Sequence, residues 1–281
     1  MERHCIAAAD GFPLAATSIT PPVGVELRGK VLINPATAVK RGYYLPYGRF
    51  LAEHGFRVLT FDYRGIGGSK PETLRGFPAT MSQWAREDSS AALTWLEEAA
   101  PSLPLSLVGH SFGGQALGLL AGSDRLRTVV TVAAQSGYWG HWPGIYRWAI
   151  WGTWHLMIPG LVAVFGYLPA KRLGLFEDLP AGVAREWARW GRNRQYILRD
   201  EAHRAGFRAF DRPTLAYSFS DDLYAPRRSV EALQEAMPAA PWTHRHRKPE
   251  DYGVRAVGHF GFFRERFRES LWQESLDWLL D

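Results

Sequence analysis

Apolar residues along this chain follow two rhythms. Short β-branched and aliphatic runs predict strands at 5–9, 14–19, 30–34, 56–62, 105–108 and 128–134, and segments whose apolar positions return every third or fourth residue predict helices at 43–54, 82–98 and 113–121. Asp10-Gly11 punctuates the first two runs as a hairpin turn, Pro21-Pro22 closes the second, and Gly55 stops the first helix. Strands alternating with helices at this spacing predict an α/β fold with a mostly parallel central sheet and helices on both faces. From 135 to 212 the alternation stops: no strand is expected, and Trp139, Trp142, Trp148, Trp151, Trp154, Trp187 and Trp190 crowd the stretch. The rhythm resumes with a strand at 214–219, a helix at 229–236 and a short strand at 242–247. A last helix follows, in which Phe267, Leu271, Trp272, Leu276 and Leu279 make one apolar stripe. The expected organisation is a core domain from 1–134 and 213–281 with a helical cap, or lid, inserted at 135–212.

Within that insertion, 148–170 carries no charged residue and is long enough to cross a bilayer. Gly152, Pro159, Gly160 and Gly166 interrupt it, and both flanks must rejoin one sheet. The expectation is therefore several short lid helices, with weak contact to a membrane surface, rather than a spanning helix.

Bulk properties narrow the rest. A chain of 281 residues with 46% hydrophobic content can bury a large core, which excludes a disordered protein. A single cysteine, Cys5, allows no internal disulfide, and the opening Met1-Glu2-Arg3-His4-Cys5 lacks the features of a secretion signal, so a cytoplasmic protein is expected. The net charge of +5 comes with Arg-rich density over 185–212 that Glu186, Asp200 and Glu201 offset, and no basic run is interleaved with stacking aromatics. No nucleic-acid partner is expected. Gly65, Gly67 and Gly68 follow a strand but lack the third glycine of a dinucleotide loop, and Pro71 prevents a helix from opening there. No metal spacing links His141 and His155. Neither cofactor nor metal is expected, and the sequence sets no oligomeric state.

The chemistry concentrates at Gly109-His110-Ser111-Phe112-Gly113, which follows an apolar strand and opens a helix. A strand turning directly into a helix around one serine is a nucleophile elbow, with Gly109 and Gly113 supplying the small residues so tight a turn requires. The backbone N–H of Phe112, free at the helix start, would face the oxygen of a bound acyl group. A serine hydroxyl needs a base and a group that orients the base. Downstream, the strand 214–219 ends in Ser220-Asp221-Asp222, and His259 stands in the loop Gly258-His259-Phe260-Gly261 before the last helix. All three lie at the carboxyl edge of the sheet, where α/β folds hold ligands.

These pieces, together with Phe61-Asp62-Tyr63-Arg64-Gly65 and Asp222 to Pro226, resemble the α/β-hydrolase superfamily over nearly the whole chain, and within it the serine aminopeptidase S33-like group. The stretches 166–169, 178–182 and 187–190 resemble the lid of an uncharacterised bacterial subgroup. The resemblance implies Ser111 as nucleophile, His259 as base, and Asp222 rather than Asp221 as acid, because Asp222 stands four residues before Pro226. It places a second oxyanion donor after the strand 31–33, where the chain reads Asn34-Pro35-Ala36-Thr37; Pro35 has no N–H, so Ala36 is the first candidate and Thr37 the second. Lid residues Trp148, Trp151, Trp154 and Phe165 are expected as apolar pocket walls. The implied activity is hydrolysis of a small to medium apolar acyl or aromatic ester through an acyl-enzyme. The alternatives are an S33-type aminopeptidase using Glu177, Asp178 or Glu186 to hold an amino group, an interfacial lipase or thioesterase, an acyltransferase, and a binding protein without catalysis.

Overall fold

In the computed structural model, which describes residues 1–174 and 176–281, the hairpin at Asp10-Gly11 forms as its sequence requires. β1 (Glu2–Ala7) pairs antiparallel with β2 (Pro13–Ile19), and Gly11 holds the left-handed backbone of the turn at φ +81°. β3 (Gly29–Asn34), α1 (Leu45–Glu53), β4 (Phe56–Phe61), α2 (Met81–Gln83) running through a π-helical stretch into α3 (Ser90–Glu98), β5 (Leu105–His110), α4 (Phe112–Gln115) and β6 (Thr128–Val132) follow, strand and helical segment in alternation. β3, β5 and β6 are buried from end to end, so apolar residues take both faces of each strand, with Lys30, Asn34, Ser106, His110, Thr128 and Thr131 as buried polar positions among them. In the sheet Leu32 stands beside Leu59 on one side and Leu107 on the other.

The insertion departs from expectation. α5 (Tyr146–Gly152), a π-helical turn (Thr153–Met157) and α6 (Ile158–Phe165) run on as one helix of 20 residues, which Gly152, Pro159 and Gly160 do not break. Pro159 falls directly after the π turn, where the hydrogen-bond ladder changes register and the N–H that proline lacks is not missed. The helix ends at Gly166, left-handed at φ +76°. β7 (Tyr167–Leu168) and β8 (Leu179–Pro180) then make a two-residue antiparallel ladder where no strand was expected, and α7 (Ala181–Gly191) and α8 (Glu201–Ala209) complete the segment between β6 and β9.

β9 (Thr214–Phe219) returns to the sheet beside β6, α9 (Arg227–Glu235) follows, β10 (Trp242–Arg247) takes the edge, and α10 (Gln273–Leu280) ends the chain. The strand order is β1-β2-β4-β3-β5-β6-β9-β10, parallel except at β2. One apolar core lies on each face, one holding Trp84 and Trp190, the other Trp272 and the rest of the C-terminal stripe. Lys30, unusual inside a buried strand, donates its Nζ to the carbonyls of Glu97 and Ala100 at the end of α3, a favoured place for a cation.

Burial holds the imidazoles of His110, His141, His244 and His246 below their ordinary pKa, His141 at about 4. For each, the unfolded chain takes up a proton at a pH where the folded chain does not, so the stability present above the ordinary histidine range is lost as pH falls through it. Asp88, pushed up to about 6 by burial, works in the opposite direction. With four groups against one, the urea midpoint is expected to drop between pH 7.5 and pH 5.5, and His141→Gln is expected to lessen the drop.

Candidate active site

Ser111 sits between β5 and α4 with φ +49° and ψ −113°, a backbone that L-residues other than glycine avoid. Its neighbours explain how the chain reaches it. A Cβ on Gly109 would stand 2.6 Å from the backbone of Gly114, and one on Gly113 only 2.2 Å from the carbonyl oxygen of Asn34. The serine's own N–H donates to the Val132 carbonyl (2.9 Å), and its carbonyl accepts from the N–H groups of Gly114 and Gln115 (both 3.0 Å). The turn is thus pinned by main-chain bonds, and the side chain is left to do other work.

Two adjacent carboxylates at the end of β9 divide their tasks. Asp222 Oδ2 lies 2.8 Å from His259 Nδ1, while its Oδ1 accepts from the N–H groups of Tyr224 (2.8 Å) and Ala225 (3.0 Å). Asp221 turns instead to the chain before the histidine, its Oδ2 accepting from Val257 N–H (2.8 Å) and Gly258 N–H (3.0 Å). Gly258, at φ +60°, supplies the bend that brings His259 round.

Beneath the elbow lies a connection that spacing along the chain does not reveal. Ala36 N–H donates to the Tyr44 hydroxyl (2.8 Å), that hydroxyl lies 2.9 Å from His110 Nδ1, and His110 Nε2 lies 2.9 Å from the carbonyl oxygen of His259. A carbonyl can only accept, so we assign the His110 proton to Nε2, leaving Nδ1 to accept from Tyr44. Burial, and then repulsion from His259, hold the His110 imidazole neutral, as this tautomer requires. The loops carrying Ala36, Ser111 and His259 are therefore joined through two buried side chains. Tyr44→Phe would strand the Ala36 N–H and His110 Nδ1 together, and is expected to cost about 2 kcal/mol in urea unfolding.

That connection corrects one expectation. The Ala36 N–H is taken up by Tyr44 and is not free to meet an oxyanion. Thr37 is the next donor along, and it lines a cavity of about 100 Å³ that Ser111 and His259 also line. The rest of the wall is mostly apolar: Ala36, whose N–H is nonetheless bonded to Tyr44, with Ala38, Leu168, Ala170, Phe176, Leu179, Trp187, Tyr224 and Phe260, and Gln135 as the polar exception. Trp148, Trp151, Trp154 and Phe165 are not part of it. Trp154 is buried against Trp187 of α7 with its Nε1 on the Gly137 carbonyl, Trp151 stacks on His155, Trp148 stacks on Trp139 at the surface, and Phe165 lies under the Arg172 guanidinium. Their spacing showed an apolar helix but not which way each ring faces. Trp187, in a stretch already marked by its likeness to a known lid, carried the better signal.

The carboxylates of the segment between β6 and β9 also have partners. Glu177 pairs with Lys40 and Lys171, Asp178 accepts from the Lys171 N–H, and Glu186 accepts from Ser82 and Arg189. None of them lines the cavity. Among the described residues, no three His, Cys, Asp or Glu side chains converge as metal ligands.

The sequence profile of the serine aminopeptidase S33 hydrolases matches residues 25–205, well over half of the chain. The chain belongs to this family. The matched stretch contains Ser111 and ends before Asp222 and His259. Membership places the chain among hydrolases. An uncharacterised protein of Rickettsia prowazekii is 30% identical over 105 residues, 37% of this chain; the match spans 41% of that relative's length. Solved structures share the fold over almost the full length. A thermostable carboxyl esterase from Bacillus coagulans aligns with TM-score 0.68 and 14% identity over 99% of this chain and 97% of its own. An esterase from Thermogutta terrifontis aligns with TM-score 0.59 and 20% identity over 99% and 98%. A monoacylglycerol lipase from Paleococcus ferrophilus aligns with TM-score 0.63 and 15% identity over 95% and 98%. The family's α/β-hydrolase fold is thus the fold of this member.

Proposed function

We propose that this family member is a serine carboxylic-ester hydrolase acting on small to medium apolar acyl or aromatic esters. The observation that carries the reading is the His259–Asp222 bond of 2.8 Å at a cavity that also contains the strained Ser111. In this mechanism His259 takes the Ser111 hydroxyl proton as the oxygen attacks the ester carbonyl, and Asp222 holds the ring and stabilises the imidazolium that forms. The N–H groups of Phe112 and Thr37 receive the oxyanion, an interaction that strengthens as charge develops. Collapse of the intermediate passes the proton from His259 to the departing alcohol. Water then enters, gives its proton to His259, and releases the acid from Ser111.

An ester is favoured over a peptide's free amino end because the cavity wall is apolar and the carboxylates of Glu177, Asp178 and Glu186 are engaged elsewhere. A small cavity favours short acyl groups. The test is labelling with a fluorophosphonate, mapped by peptide mass spectrometry, combined with turnover of p-nitrophenyl esters from acetate to palmitate. Modification at Ser111 with an optimum among the short esters supports the reading. Label elsewhere, or faster turnover of alanyl-naphthylamide than of any ester, overturns it.

A further inference from the structure

The lid helix Tyr146–Phe165 presents to the outside what a surface helix of a water-soluble domain normally buries. Only 17% of its most apolar window is buried, and the buried positions Trp154, Ile158 and Val162 form a single stripe. The outer face holds Trp148 at 59% exposure, Leu156 at 64% and Val164 at 72%, just after Ile145 at 79%. A helix apolar on both its inner and outer faces has no favourable place in bulk water. Cations mark its two ends. Exposed Arg147 stands at the start, and at the finish exposed Arg172 covers Phe165 while exposed Arg75 lies against Gly166. Near that end Lys171 is paired with Glu177, and the Asp178 carboxylate is turned back onto the Lys171 N–H, while Arg75 and Arg172 stand at the helix end itself.

We propose that this helix lies in the plane of an anionic lipid bilayer, with Trp148, Leu156 and Val164 entering the acyl boundary and Arg147, Arg75 and Arg172 meeting the headgroups. The charge pattern favours lipid over a second copy of the chain. Two such helices packed antiparallel would set Arg147 of each against Arg172 of the other, and packed parallel would set like against like. Docking also bears on the cavity. Gly166 and Tyr167 join the helix end to Leu168 in the cavity wall, and Phe176 and Tyr224, both in that wall, are themselves 41% and 50% exposed. Insofar as docking supplies an ester dissolved in the lipid phase, it rests on the esterase reading above.

The experiment is flotation of the full chain with phosphatidylcholine vesicles, with and without phosphatidylserine. It is run for the wild type and for the double variant Leu156→Glu/Val164→Glu, whose sites touch neither the core nor the cavity. Turnover of p-nitrophenyl acetate is followed in parallel. The expected result is wild-type binding that needs phosphatidylserine and weakens with salt, a bound fraction at least about tenfold lower in the double variant, and equal turnover by both. Absence of binding, equal binding by the variant, or a wild-type dimer that the substitutions convert to a monomer would each overturn the proposal. Wild-type binding without turnover of any ester would leave the docking surface standing and remove the esterase reading.

Discussion

Ser111→Ala is expected to lower turnover of p-nitrophenyl butyrate by about four to six orders of magnitude while the protein still folds. The two halves of that expectation have separate causes. The hydroxyl is the only atom the substitution removes, and in the proposed mechanism it forms the covalent bond, so what survives is the oxyanion site acting on water. The elbow itself is held by the Ser111 N–H on Val132 and by the Ser111 carbonyl on Gly114 and Gln115, all of which alanine keeps. Matched urea transitions with a collapsed rate are therefore the signature to seek. A variant retaining a tenth of the wild-type rate would move the nucleophile elsewhere.

The second large effect separates two neighbours that the sequence presents as near equivalents. Asp222→Asn is expected to reduce kcat by about three to four orders of magnitude, because an amide at that place can steer His259 into the tautomer that cannot accept the serine proton. Asp221→Asn retains an oxygen able to accept from Val257 and Gly258, and is expected to stay within a few-fold of wild type. Asp221→Ala releases both N–H groups and loosens the histidine loop, with kcat expected to fall about tenfold. Steady-state kinetics above the histidine titration range decides between these. Equal losses in the two asparagine variants would contradict the division of labour.

Much of this was legible in the chain. The buried strands are written as mostly apolar runs, and Ser111 and Asp222 each stand directly after one of them at the same edge of the sheet, while His259 reaches that edge through a longer loop after β10. What was not legible depends on directions across space. That Ala36 spends its N–H on Tyr44 follows from how the loop folds over α1, which no pattern of residue types encodes. Pro159 and Gly160 argued for a break in the lid because their intrinsic cost is real, yet the π turn before them absorbs it. The tryptophans of 148–154 announced apolar contact without saying whether sheet, substrate or solvent would receive it.

The backbone at Ser111 carries one more implication. At φ +49° glycine would be the more comfortable residue, and Ser111→Gly is expected to gain about 1 kcal/mol by relieving the Cβ, partly offset by a freer unfolded chain. Under the proposed mechanism, folding and chemistry thus ask for different residues at position 111. On that mechanism, a chain that kept this fold only as a binding scaffold would gain stability by drifting to glycine there, and a serine held at this strained position is what covalent catalysis would preserve.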